Sequence, residues 1–130
     1  MKRLLFYILL LTTLGACSYD ETVETCRLSI QLVYPESYDL APQAGIPVEL
    51  KDATASVFMA ETDDKGTAHF SVPPGIYEAS SNSNFYVDID DQWRWNYILN
   101  GVKSLIIVSP DSLNQTQMEL KGSRIRRPKL

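Results

Sequence analysis

In several segments between residues 26 and 120 apolar and polar positions alternate with a period of two, the pattern of strands that bury one face. Cys26, Leu28, Ile30, Leu32 and Tyr34 fall on one side, with Arg27, Ser29 and Gln31 opposite. Residues 46–50 alternate again, and Pro47, which cannot donate to a ladder, fits a strand start or an edge. Residues 57–62 form a third strand. Asp63-Asp64-Lys65-Gly66 is a tight turn, with Gly66 suited to positive φ. Ala68, Phe70 and Val72 then alternate with His69 and Ser71, Pro73-Pro74-Gly75 breaks the ladder, and residues 76–80 resume it. Phe85, Val87 and Ile89 lead to an Asp90-Asp91 turn, followed by Trp93, Trp95, Tyr97 and Leu99 on one face. Asn100-Gly101 predicts a type I′ hairpin turn. The continuous apolar run Leu105-Ile106-Ile107-Val108 predicts a strand covered on both faces. After a Pro110-Asp111 turn, Thr116, Met118 and Leu120 line a last strand. No segment has a helical period. About eight short strands with regular turns predict an all-β sandwich.

The first residues read differently. Met1, Lys2 and Arg3 precede an apolar run over residues 4–14, interrupted only by Thr12 and Thr13. As a helix that run reaches about 16 Å, too short for a bilayer core of about 30 Å, and it reads as a secretory signal. Leu14-Gly15-Ala16-Cys17 resembles the lipobox of bacterial lipoproteins. The resemblance implies a signal peptide over residues 1–16, cleavage before Cys17, a diacylglycerol thioether on its thiol and acylation, typically with palmitate, of its new amine. Ordinary signal cleavage, with Cys17 unmodified, is the alternative. Several acyl chains anchor stably where one is marginal. Residues 17–25 would then be a lipidated tether. Ser18-Tyr19-Asp20-Glu21 resembles the acidic export signals of surface-displayed Gram-negative lipoproteins, which implies an outer-membrane protein facing the cell exterior; the periplasmic face is the alternative. Cys26 is expected to pack as a small apolar side chain.

Composition narrows the chemistry. The 130 residues carry 12 Lys and Arg against 16 Asp and Glu, for a net charge of -4. That length fits one domain, and the acidic balance argues against nucleic acid as a partner. One histidine and two cysteines exclude most metal and redox sites, so no cofactor, no metal and no catalysis are expected.

A second resemblance covers residues 45–80. Gly45-Ile46-Pro47-Val48-Glu49-Leu50, then Thr62-Asp63-Asp64-Lys65-Gly66 with Phe70-Ser71-Val72, then Pro73-Pro74-Gly75-Ile76-Tyr77 is similar to the carboxypeptidase regulatory-like, transthyretin-like domains. Membership implies a transthyretin-like (prealbumin-like) β-sandwich of seven to eight strands, here residues 26–122, with Tyr77 placed onto the core and residues 123–130 left as a basic tail. It also implies a mostly non-catalytic spacer, stabiliser or binding surface. Relatives with chemistry do not fit. Hydroxyisourate hydrolases and intradiol dioxygenases need more histidines than His69 alone. Isopeptide-forming adhesin domains need a first-strand lysine, where this chain has Arg27.

Four groups of residues carry candidate chemistry. Trp93, Trp95 and Tyr97 form either a core stripe or a stacking platform for a glycan. Asp88, Asp90 and Asp91 are a hairpin end or a calcium-binding turn. Asp63 and Asp64 are turn formers before they are an acid–base pair, and His69 lies on a polar, solvent-facing phase. With one histidine, no Ser/His/Asp set is expected. Arg124, Arg126, Arg127 and Lys129 make the basic tail, read as disordered or as a contact for an acidic partner. The expected function is a membrane-anchored lipoprotein with a binding or structural β-sandwich and a protein or glycan partner at the cell surface. A small pilus or adhesin accessory subunit and a glycan-binding accessory protein are the alternatives.

Overall fold

A computed structural model of the chain describes residues 24–130, so the expected signal peptide and the expected lipid site at Cys17 lie outside the described residues. Eight strands run in chain order: β1 (Cys26–Val33), β2 (Pro47–Asp52), β3 (Val57–Glu61), β4 (Thr67–Val72), β5 (Gly75–Asp88), β6 (Trp93–Val108), β7 (Gln115–Glu119) and β8 (Lys121–Pro128). A single 3-10 turn, Glu36–Tyr38, is the only helical element among the described residues. No helix among them is long and apolar enough to cross a membrane.

The strands form a three-stranded sheet, β4-β1-β7, and a five-stranded sheet, β3-β2-β5-β6-β8. Together they enclose one core, and the fold is all-β with two layers. Burial follows the predicted alternation. In β1, Cys26, Leu28, Ile30 and Leu32 point inward and are buried; β2 adds Val48 and Leu50, and β4 adds Ala68, Phe70 and Val72. Tyr77 is buried as expected, with its hydroxyl donating to the Pro73 carbonyl. Pro47 opens β2, where the missing N–H costs least. The Asp63 turn closes with Gly66 N–H donating to the Asp63 carbonyl at 3.0 Å, and Gly66 takes a φ of 77°.

Three expectations are corrected. Asn100-Gly101 is not a hairpin turn: both residues lie inside β6, paired with Asn82 and Ser81 of β5. The glycine answers a different need. A Cβ on Gly101 would stand 2.6 Å from the Glu119 carbonyl oxygen, where the chain passes from β7 into β8. Second, the run at residues 105–108 is not covered on both faces. Ile106 and Val108 are buried, whereas Leu105 is 78% and Ile107 69% exposed. Leu105 has a φ of 57°, and the β5–β6 register shifts between Tyr77 and Ala79, so a bulge in β6 exchanges its inward and outward positions there.

Third, the sheet does not end at residue 122. Lys121–Pro128 is a strand, paired antiparallel with β6 from Asn100 to Trp93. β5 and β6 run past the region that β2 pairs with, and β8 joins them there. The result is a three-stranded arm, β5-β6-β8, in which the arginines are fixed in register rather than left on a free end.

Candidate functional site

Two surfaces gather chemistry, one on each sheet. The first is the inner face of the arm, where the aromatic stripe lies. Tyr97 and Leu99 are buried in the core, Trp95 packs against it, and Trp93 is half-buried. The burial gradient follows the strand outward, so the stripe is core at one end and surface at the other. Phe85 stacks on Tyr97 with centroids 5.4 Å apart, and Tyr38 meets Tyr97 edge-on at 5.5 Å.

β8 then lays cations on these rings. The Arg124 guanidinium carbon is 4.0 Å from the Trp95 centroid and 4.9 Å from that of Tyr38. Its Nη1 also donates to the Tyr97 hydroxyl at 3.2 Å. Arg126 lies 4.5 Å from the Trp93 centroid. A guanidinium over a ring face is held by the quadrupole and stays less hydrated than an ammonium would. Trp93 and Trp95 are therefore not a bare platform, because each already carries an arginine. On the other face of the arm, Arg127 Nε donates to buried Asn96 Oδ1 at 3.3 Å, and Arg94 lies 4.0 Å from the Tyr86 ring centroid. Lys129 Nζ sits 3.2 Å from Asp88 Oδ2. Asp90 Oδ1 accepts from the N–H groups of Gln92 and Trp93, each at 2.8 Å. The backbone bonds from Gln92 and then Trp93 hold its carboxyl below the ordinary range. The acidic turn is thus occupied in closing the hairpin and fixing Lys129.

The second surface is the outer face of the small sheet. Its register places Ser29 directly opposite His69 on β4 and opposite Gln115 on β7. The next row is Thr67, Gln31 and Gln117. These residues, with Asp63, Lys65 and Thr116, line an open groove of about 570 Å³. Within it Ser29 Oγ is 3.2 Å from His69 Nδ1, and His69 Nε2 is 3.1 Å from Asp63 Oδ2. The other carboxylate oxygen, Asp63 Oδ1, accepts the N–H groups of Lys65 at 2.9 Å and Thr67 at 3.0 Å. The Thr67 N–H, then the His69 ring, hold the Asp63 carboxyl below the usual carboxylate range.

His69 faces solvent as its strand phase predicts, with 61% of its side chain exposed. The structure nonetheless brings this one histidine within hydrogen-bond reach of both a serine and an aspartate. The signal was present as polar phase: Ser29 and His69 both occupy outward positions of their strands. What was missing was the β1–β4 register. Asp64 takes no part in the set.

No known family model matches the chain, and no curated protein does.

Proposed function

We propose that this is a lipid-anchored protein of the bacterial envelope, displayed at the cell surface, whose transthyretin-like β-sandwich binds an anionic partner, an acidic polysaccharide, through the β5-β6-β8 arm. The observation that carries the binding reading is β8 itself. It sets Arg124, Arg126 and Arg127 on a paired edge strand, with Arg124 and Arg126 already stacked on Trp95 and Trp93. Cations held in one geometry lose little freedom on binding, and arginine suits carboxylate and sulfate oxygens. Arg94, Arg124, Arg126, Arg127 and Lys129 gather at the arm of a chain whose net charge is -4, which makes it the place where an anion is best met. A neutral glycan is a poorer fit, because it would have to displace a guanidinium from each ring. The anchor rests on Leu14-Gly15-Ala16-Cys17 and the short apolar run before it. The transthyretin-like assignment rests on the motifs of residues 45–80 and is supported by the two-sheet all-β architecture.

The test is binding of polygalacturonate, with neutral dextran as control, by the full chain in detergent. Polygalacturonate should bind and be released by salt, dextran should not bind, and Arg126→Ala with Arg127→Ala should weaken binding at least about tenfold. Equal binding of both polymers, or an unaffected double variant, would remove the reading. Separately, Cys17→Ala should abolish palmitate labelling and membrane fractionation.

One observation favours a second reading, an accessory subunit of a surface assembly. Residues 101–108 of β6 are paired in the ladder with β5 alone, since β8 reaches only Asn100; β7 lies beside Val102 and Lys103, and Leu105 and Ile107 are exposed beyond them. An unpaired edge with apolar side chains is a template for another strand. Concentration-dependent oligomers abolished by Ile107→Lys would support it.

A further inference from the structure

We propose that Ser29, His69 and Asp63 form a hydrolytic site for small acyl esters, such as acetyl esters of hydroxyl-rich substrates, on the outer face of the small sheet. The site is separate from the cationic arm and goes beyond the binding reading.

The geometry supplies each role in turn. Asp63 is the orienting carboxylate. Its Oδ1 is fixed by two backbone N–H groups, which leaves Oδ2 to accept from His69 Nε2. That contact puts the imidazole proton on Nε2, so the lone pair of Nδ1 faces Ser29 Oγ 3.2 Å away. This is the nucleophile–base–orienter chain of acyl-transfer sites, with the two ring nitrogens exchanged relative to the serine-protease arrangement. The residues come from three places: Ser29 from the central strand β1, His69 from β4, and Asp63 from the turn before β4. A sheet register and a closed turn hold them, which is the rigid support a catalytic constellation needs.

The groove selects the substrate class. All nine of its lining residues are polar: Ser29, Gln31, Asp63, Lys65, Thr67, His69, Gln115, Thr116 and Gln117. Its glutamines and threonines match a hydroxyl-rich alcohol portion. Gln31 and Gln115 flank Ser29 along and across the sheet and bring carboxamide N–H donors to the same groove. They are among the groove's donors, and their place beside Ser29 in the sheet makes them the candidates for a developing oxyanion.

In the first step Ser29 Oγ attacks the ester carbonyl carbon while His69 Nδ1 takes the hydroxyl proton. The tetrahedral intermediate collapses by breaking the bond to the alcohol oxygen, and His69 returns the proton to that oxygen, releasing the free hydroxyl and leaving acyl-Ser29. Water then attacks the acyl carbon and gives a proton to His69. Collapse breaks the bond to Ser29 Oγ, which regains the proton, and the carboxylic acid leaves and ionises. Water is the only co-reactant.

The experiment treats the full chain in detergent with a fluorophosphonate probe and, separately, with p-nitrophenyl acetate. The folded protein should gain one phosphonyl group, the Ser29 oxygen displacing fluoride, and the adduct should map to the peptide carrying Ser29. It should also release p-nitrophenol faster than the denatured chain does. Ser29→Ala should lose both signals, and His69→Gln should lower turnover about a hundredfold or more while the protein still unfolds cooperatively. Ser71→Ala, one register away on the same face, should change neither. No adduct on the folded wild type, an adduct at another residue, or turnover that survives Ser29→Ala would each overturn the proposal, and the first two need no variant.

Discussion

Arg124 on β8 and Trp95 on β6 are in direct contact, the guanidinium carbon 4.0 Å from the indole centroid. Tyr38 and Tyr97 complete the surroundings of the cation. One arginine therefore ties the C-terminal strand to the aromatic end of the core. Cation–π contacts of this half-buried kind are worth about 1–2 kcal/mol. Arg124→Ala should lower unfolding stability by that amount in a urea titration, and Arg124→Lys should recover part of it.

The burial gradient along β6 orders three truncations. Tyr97→Ala removes a ring that is 2% exposed and should cost about 3–5 kcal/mol. Trp95→Ala should cost less, and Trp93→Ala about 1 kcal/mol, since Trp93 is only half-buried. Thermal melts of the three variants test the order. An inverted order would mean that the stripe faces the other way.

Gly122 is the second residue of β8 and lies opposite Leu99 of β6. Its φ is 151°, and a Cβ there would lie 2.0 Å from the Ile98 carbonyl oxygen and 2.9 Å from the Leu99 Cα. Both obstacles are backbone of the neighbouring strand, so no side-chain rotation relieves them. Gly122→Ala should destabilise by about 2–4 kcal/mol. It should also raise amide exchange in β8 and the arm before the small sheet loosens.

Asp63 is the carboxylate with a clear acid response near the groove. Its folded pKa is depressed below the ordinary 3.8 by the Thr67 N–H and His69. The stabilisation is therefore complete above that ordinary value and is lost as pH falls through the lower folded one. Melting temperature should drop on acidification below about pH 4. Asp63→Asn should be less stable at neutral pH and should flatten that acid limb. Asp52 and Asp90 are lowered in the same way, so the wild-type limb is a sum and the difference between the two proteins is the readout.

Where partners are near in sequence, or burial is one-sided, the residues themselves announced the structure. The alternation in β1, the Asp63–Gly66 turn and the Pro73-Pro74-Gly75 break all read directly, because each depends on local backbone chemistry or on a single buried face. The failures share one cause, a partner distant in the chain. Gly101 looks like a turn glycine until the passage of Glu119 beside it is known. Arg124 looks like the start of a free tail until β6 is seen to offer Trp95 and Tyr97. Leu105 and Ile107 look buried until the bulge turns them outward. Ser29 and His69 each lie on the polar phase of their strands, and only strand register brings them together.

The parallel pairing of β1 with β7 has a kinetic consequence. β5 and β6 are joined by a short connection, so their ladder can zip from the Asp88–Arg94 end after one cheap loop closure. β1 must wait for Gln115–Glu119, most of the chain away, before its second edge is filled. The long hairpin is thus expected to assemble early and the small layer to lock last. Ser29 would meet Gln115 only on completion of folding, and a nascent or partly unfolded chain would lack the finished groove.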